Sequence, residues 1–141
     1  MTGSNPIFES RAVPEKADVI APDGSEIRLL PVLRSGSLVH CRLQPGQTSL
    51  AVRHRSVEEF WFVLRGRGEL WRRQGAQEAT VPLLPGTAHT IPVGTHFQFR
   101  NTGSEPLDMV IVTMPPWPGS DEAVRVDDHW PTGRPSEGGD R

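Results

Sequence analysis

Glycine and proline occur 14 times each in 141 residues, at short intervals through most of the chain. Between them lie short runs rich in Val, Leu, Ile, Phe and Trp. Turn signals stand at "PDG" 22–24, "RSG" 34–36, "PG" 45–46, "RG" 65–66, "PG" 85–86, "PVG" 92–94 and "NTGSEP" 101–106. Pro cannot sit inside a helix or central strand, and Gly weakens both, so no element can run long. This punctuation predicts an all-β sandwich or barrel. Strands are expected over 17–20, 27–33, 38–43, 49–54, 60–65, 68–73, 78–82, 88–91, 96–101 and 107–114. No stretch keeps a helical period over three turns. "SVEEFWFVL" imitates a helix start with Ser56 as its cap, but the "RGRG" that follows argues for a strand.

Composition narrows the function classes. Lys+Arg number 15 against 17 Asp+Glu, and no basic cluster exceeds a few residues. A nucleic-acid partner would require a basic face, so none is expected. Cys41 is the one cysteine, which excludes an internal disulfide; its strand context predicts a small buried hydrophobe. The N-terminal residues lack the apolar run of a signal peptide, and no segment approaches the roughly 20 apolar residues of a membrane span. The expectation is a soluble cytoplasmic protein without a membrane partner. The length fits one domain. Residues 1–26 read as an N-terminal segment with an edge strand, and 27–114 as the barrel. Residues 115–141 read as an extended Pro-rich arm, disordered from about residue 131, whose Trp117 and Trp130 would lie against the domain or a partner.

Two spaced signatures carry more information. In the first, Gly46 is followed after five residues by Val52, after one by His54, after four by Glu59 and after six by Gly66. In the second, Gly86 is followed after five residues by Pro92, after one by Gly94, after two by Phe97 and after three by Asn101. This pattern resembles the two motifs of the cupin superfamily, G-x5-H-x-H-x3/4-E-x6-G and G-x5-P-x-G-x2-H-x3-N. The resemblance covers roughly 27–114 and retains every Gly, Pro and Asn landmark. It implies a double-stranded β-helix, a jelly-roll barrel of two antiparallel sheets around a central pocket. In typical members three histidines and a glutamate of these motifs converge on one divalent ion. Here Val52 and Phe97 stand at two of the histidine positions, so only His54 and Glu59 remain.

The candidate site follows from alternation along strands. Glu58 and Glu59 must face opposite ways, and the spacing to Gly66 selects Glu59 as the inward one. Glu59 and His54 are the catalytic candidates, either one a general base, with the buried Glu59 raised in pKa unless an Arg or His neutralises it. Val52, Trp61, His89, Phe97 and Phe99 are the substrate-binding candidates, and Trp61, Val63, Phe97 and Phe99 would form an apolar wall. The metal candidates are His54, Glu59 and His96, with His89 as the substitute. His96 faces outward under strict alternation and inward if a one-residue bulge intervenes. Imidazoles with a carboxylate suit Zn, Fe, Ni or Mn; the cofactor is one such divalent metal, or none. Two functions stand open. One is an enzyme of small-molecule metabolism, of isomerase, cyclase, lyase or dioxygenase type, acting on a small, largely apolar molecule with or without the metal. The other is a metal-free module that binds or senses such a molecule without turnover. Small cupins commonly dimerise through a sheet, and the outward Phe60, Phe62 and Leu64 would serve a homodimer.

Overall fold

The computed structural model describes residues 7–132. The disorder expected from about residue 131 therefore concerns positions that, beyond Thr132, lie outside the described residues. Eleven strands run in chain order: β1 (Val19–Ile20), β2 (Glu26–Val32), β3 (Ser37–Leu43), β4 (Val52–His54), β5 (Glu58–Arg65), β6 (Gly68–Gln74), β7 (Gln77–Leu83), β8 (Ala88–Ile91), β9 (His96–Asn101), β10 (Leu107–Met114) and β11 (Ala123–Arg125). They form a six-stranded sheet in the order β1-β2-β3-β10-β5-β8 and a five-stranded sheet in the order β11-β4-β9-β6-β7. All pairings are antiparallel. This is a jelly roll, and among the described residues there is no α-helix.

Strand β5 shows why the chain folds this way. Its side chains alternate strictly: Glu59, Trp61 and Val63 are buried, whereas Glu58, Phe60 and Phe62 are exposed. A helix would bury every third or fourth residue instead. The buried set meets Leu70, Leu83, Ile91, Phe97, Phe99, Leu107 and Met109 in one core between the sheets. Each fully buried aromatic or large aliphatic here stabilises the fold by roughly 1.5–3 kcal/mol. Trp61 packs edge-on against Phe97 and Phe99, with ring centroids 5.4 and 5.0 Å apart.

The motif glycine Gly66 has two physical reasons to be glycine. Its φ is +88°, and a Cβ there would collide with the Pro106 carbonyl. Asn101 works through its side chain rather than through a left-handed backbone. Its amide donates to the Leu43 and Glu105 carbonyls at 2.9 and 2.8 Å, and its Oδ1 accepts the Gly103 N–H. No described residue other than glycine has positive φ.

The C-terminal arm is more structured than an extended segment. A 3-10 turn at Ser120–Glu122 leads into β11, which pairs with β4. Glu122 is buried, and its carboxylate accepts the Ser56 N–H, the Ser56 hydroxyl and the Val57 N–H. Further on, Gln98 holds the backbone of His129 and Trp130, and Arg100 lies 4.3 Å over the Trp130 ring. The arm thus closes one end of the five-stranded sheet.

Candidate functional site

A cavity of about 420 Å³ opens between the two sheets. The five-stranded sheet contributes Val52 and His54 from β4 and Phe97 and Phe99 from β9. The six-stranded sheet contributes Glu59 and Trp61 from β5, Ile111 and Thr113 from β10, Val39 and Cys41 from β3, and Ile27 and Leu29 from β2. Segments outside the two motifs complete the wall. Residues 19–23 and Ser25 line it on one side, and Trp117, Ser120 and Ala123 of the arm on the other.

Of the two adjacent acids on β5, Glu59 enters the cavity, 8 % exposed, while Glu58 faces solvent. The Glu59 carboxyl is held at both oxygens. Trp61 Nε1–H donates to Oε1 at 2.9 Å, and the Thr113 hydroxyl donates to Oε2 at 2.7 Å. The Thr113 contact follows from register, because Thr113 is the direct cross-strand partner of Glu59. Burial pushes the Glu59 pKa up to about 7, against the pull of those two hydrogen bonds. Asp23 and Glu122 raise it further across space.

His54 is 4 % exposed and makes T-shaped ring contacts with Phe97 and Trp117, with centroids 5.1 and 5.2 Å away. Burial lowers its pKa, which favours the neutral ring. Its Nδ1 is buried without a hydrogen-bond partner and faces Glu59 Oε1 at 4.0 Å. That distance is too long for a hydrogen bond. Cys41 is fully buried, and burial drives its thiol far above the ordinary range, so it is no thiolate nucleophile.

Two expected site residues are elsewhere. His96 begins β9 on the face opposite Phe97, and its Nδ1 lies 3.3 Å from Arg73 Nη2. The bulge that would have turned it inward does not occur; Val52 pairs directly with Phe97, and β9 pairs with β6 without a break. Burial and then Arg73 lower the His96 pKa. His89 is the cross-strand neighbour of Trp61, but it sits on the edge strand β8, away from the cavity lining. Its Nε2 contacts the Thr87 hydroxyl at 2.8 Å.

These positions decide the metal question for the donor set. A catalytic zinc takes three protein ligands and a structural one takes four. The cavity presents His54 and Glu59, while hydrocarbon side chains occupy the two remaining motif positions. Among the described residues no group of three or more His, Cys, Asp or Glu is placed to hold a metal ion. The expected set of His54, Glu59 and His96, and its variant with His89, is not brought together, so these residues do not fit a metal centre.

Sequence reasoning missed Asp23, Ser25, Thr113, Ser120 and Ala123. Thr113 was the discoverable one, given a β5–β10 pairing. The others lie on segments whose path no local pattern sets.

Comparison with known proteins agrees with the fold. A family model described as "Cupin domain" matches residues 39–113. The xanthan biosynthesis protein XanB of Xanthomonas campestris pv. campestris is 29 % identical over 86 residues, covering 61 % of this chain and 18 % of that protein. The chain thus spans less than a fifth of that relative. Among solved structures, oxalate decarboxylase of Lactobacillus farciminis, a formate complex, superposes with a TM-score of 0.63 at 19 % identity, over 87 % of this chain and 33 % of that one. BH2720 from Bacillus halodurans superposes with a TM-score of 0.61 at 24 % identity, over 77 % and 80 % of the two chains. The Drosophila melanogaster CENP-C structure bound to CAL1 gives 0.59 at 16 % identity, over 64 % and 74 %.

Proposed function

The chain belongs to the cupin family, and from that premise we propose that its barrel binds a small, largely apolar organic molecule in the central cavity without a metal ion. The observation that carries this reading is the exchange of metal donors for Val52 and Phe97, which face each other across β4 and β9 inside the cavity. With Trp61, Phe99, Ile111 and Trp117 they make an apolar wall around one polar pole, the pair His54 and Glu59. A concave, mostly apolar space with few convergent polar groups is the usual form of a small-molecule site.

The polar pole supports a second, catalytic reading. A carboxyl with pKa about 7 is matched to proton transfer near neutrality, and Glu59 lines the cavity. Glu59 would move a proton to or from a bound carbonyl compound, while neutral His54 orients the molecule. Native mass spectrometry of the freshly purified protein, with elemental analysis, separates these readings from a metalloenzyme. A retained organic molecule and substoichiometric metal are expected. One tightly held transition-metal ion per chain would overturn the metal-free reading.

The partner we expect is a second copy. Phe60, Phe62 and Leu64 are 52, 43 and 47 % exposed on one face of β5. A charge in the middle of that stripe should disfavour its burial. Phe62→Glu is expected to shift the light-scattering mass from two chains to one; an unchanged mass would exclude this face as the contact.

A further inference from the structure

The cavity is acidic and aromatic, and its one basic side chain is His54, whose burial favours the neutral ring. Neither Arg nor Lys lines it among the described residues. Basic side chains are engaged with acids elsewhere: Arg42 with Asp108, Arg100 with Glu69, and Arg125 with Asp128. Across space, the charges that act on His54 and on Glu59 are in both cases the acids Asp23 and Glu122.

Most of the hydrogen-bonding groups lean the same way. Trp61 Nε1–H and the Thr113 hydroxyl already donate to Glu59, and the Ser25 hydroxyl donates to Asp23 at 2.7 Å. These donors are therefore spent. Acceptor capacity remains, because an ionised carboxylate offers about four lone-pair sites and Glu59 uses two. His54 Nδ1, buried and without a partner, adds an unmet polar atom beside it. Aromatic rings of Trp61, Phe97 and Trp117 stand around this pole.

We propose that the cavity selects organic cations, amines on an aromatic or alicyclic body, over anions of the same shape. This rests on the reading of the cavity as a small-molecule site. An ammonium group finds a carboxylate with free acceptor sites and electron-rich ring faces, and cation–π attraction strengthens when both partners leave water. A carboxylate or phosphate entering the same space would lose its hydration and meet acids, with the Ser120 hydroxyl and the single N–H of neutral His54 left to donate to it. A neutral alcohol falls between, since it can donate to Glu59 without the charge.

The test uses three probes of one shape, 2-phenylethylamine, 2-phenylethanol and phenylacetate, titrated calorimetrically into the full chain at pH 8, above the Glu59 pKa of about 7, where its carboxylate is ionised and the amine is still an ammonium. The amine is expected to bind at least about tenfold more tightly than phenylacetate, with the alcohol between them. In Glu59→Gln the ratio of amine to alcohol affinity should fall toward one, whatever the change in the absolute affinities. Asp23→Asn should narrow the same gap and serves as a second variant should the first fail to fold. Equal binding of all three, or tightest binding of phenylacetate, overturns the charge selectivity and leaves the small-molecule site standing. Binding by none of the three overturns both.

Discussion

Glu59→Gln is expected to remove a stability loss of about 3 kcal/mol that the natural protein suffers as pH rises from about 4.5 to about 7. The sign follows from which state holds the proton more tightly. Burial raises the folded pKa of Glu59 from 4.5 to about 7. Below the unfolded value both states are protonated, and the buried acid is neutral at no electrostatic cost. Between the two values the unfolded chain releases its proton and the folded chain keeps it, so unfolding gains ground with each step in pH. Above the folded value both are ionised, and the difference is constant. Each tenfold in proton affinity is worth about 1.4 kcal/mol, which sets the size.

His54 works the other way. Burial lowers its folded pKa below 6.5, so its contribution is lost as pH falls. The raw stability curve mixes the two, and the difference between the natural protein and the Glu59→Gln variant isolates the acid. Glutamine preserves the shape, with its side-chain oxygen still able to accept from Trp61. Denaturant melts from pH 4 to 8 would read the effect. A difference that stays flat across this window would mean that Glu59 titrates as an ordinary exposed carboxyl, and the proton-transfer reading would fall with it.

Much of this site was legible because strands report orientation by parity. Counting from Gly66 placed Glu59 inward, and the same parity placed Trp61 and Val63 beside it. His96 and Phe97 were harder. "GTHFQF" reads plausibly with either face inside, and only the pairing partners decide: Phe97 meets Val52 and His96 meets Arg73. Burial of an aromatic ring against Trp61 and His54 favours that register over one burying an imidazole. The cavity's other walls could not be read locally. Asp23 and Ser25 reach it because a short β1 returns antiparallel along β2. Trp117 reaches it because the arm is tethered by groups that lie 65 and 66 residues away in sequence.

That tether is the second large effect. Glu122→Ala is expected to cost about 3–4 kcal/mol, seen as a fall in melting temperature of roughly 10–15 °C for a domain of this size. The carboxylate accepts three hydrogen bonds, two of them from backbone N–H groups at 2.6 and 2.8 Å. Bonds to a charged acceptor are worth about 1.5–3 kcal/mol each, though not additively. Val57 is fully buried, so its N–H would have no water to turn to after truncation. Glu122→Gln keeps one acceptor oxygen and should cost about half as much. Because Ser120 and Ala123 flank this anchor and line the cavity, the damage should spread to ligand binding. Amide exchange in Ala123–Arg125 should accelerate first, since β11 is held only to β4 in its sheet. Exchange in β6 and β9, at the centre of that sheet, should change only with global stability. A Glu122→Ala protein that melts within a degree or two of the natural one, with β11 still protected, would show that β-pairing and Trp117 packing hold the arm without the carboxylate. Trp117, Ser120 and Ala123 would then still wall the cavity, and the Glu122 carboxylate would have no separate part in what enters it.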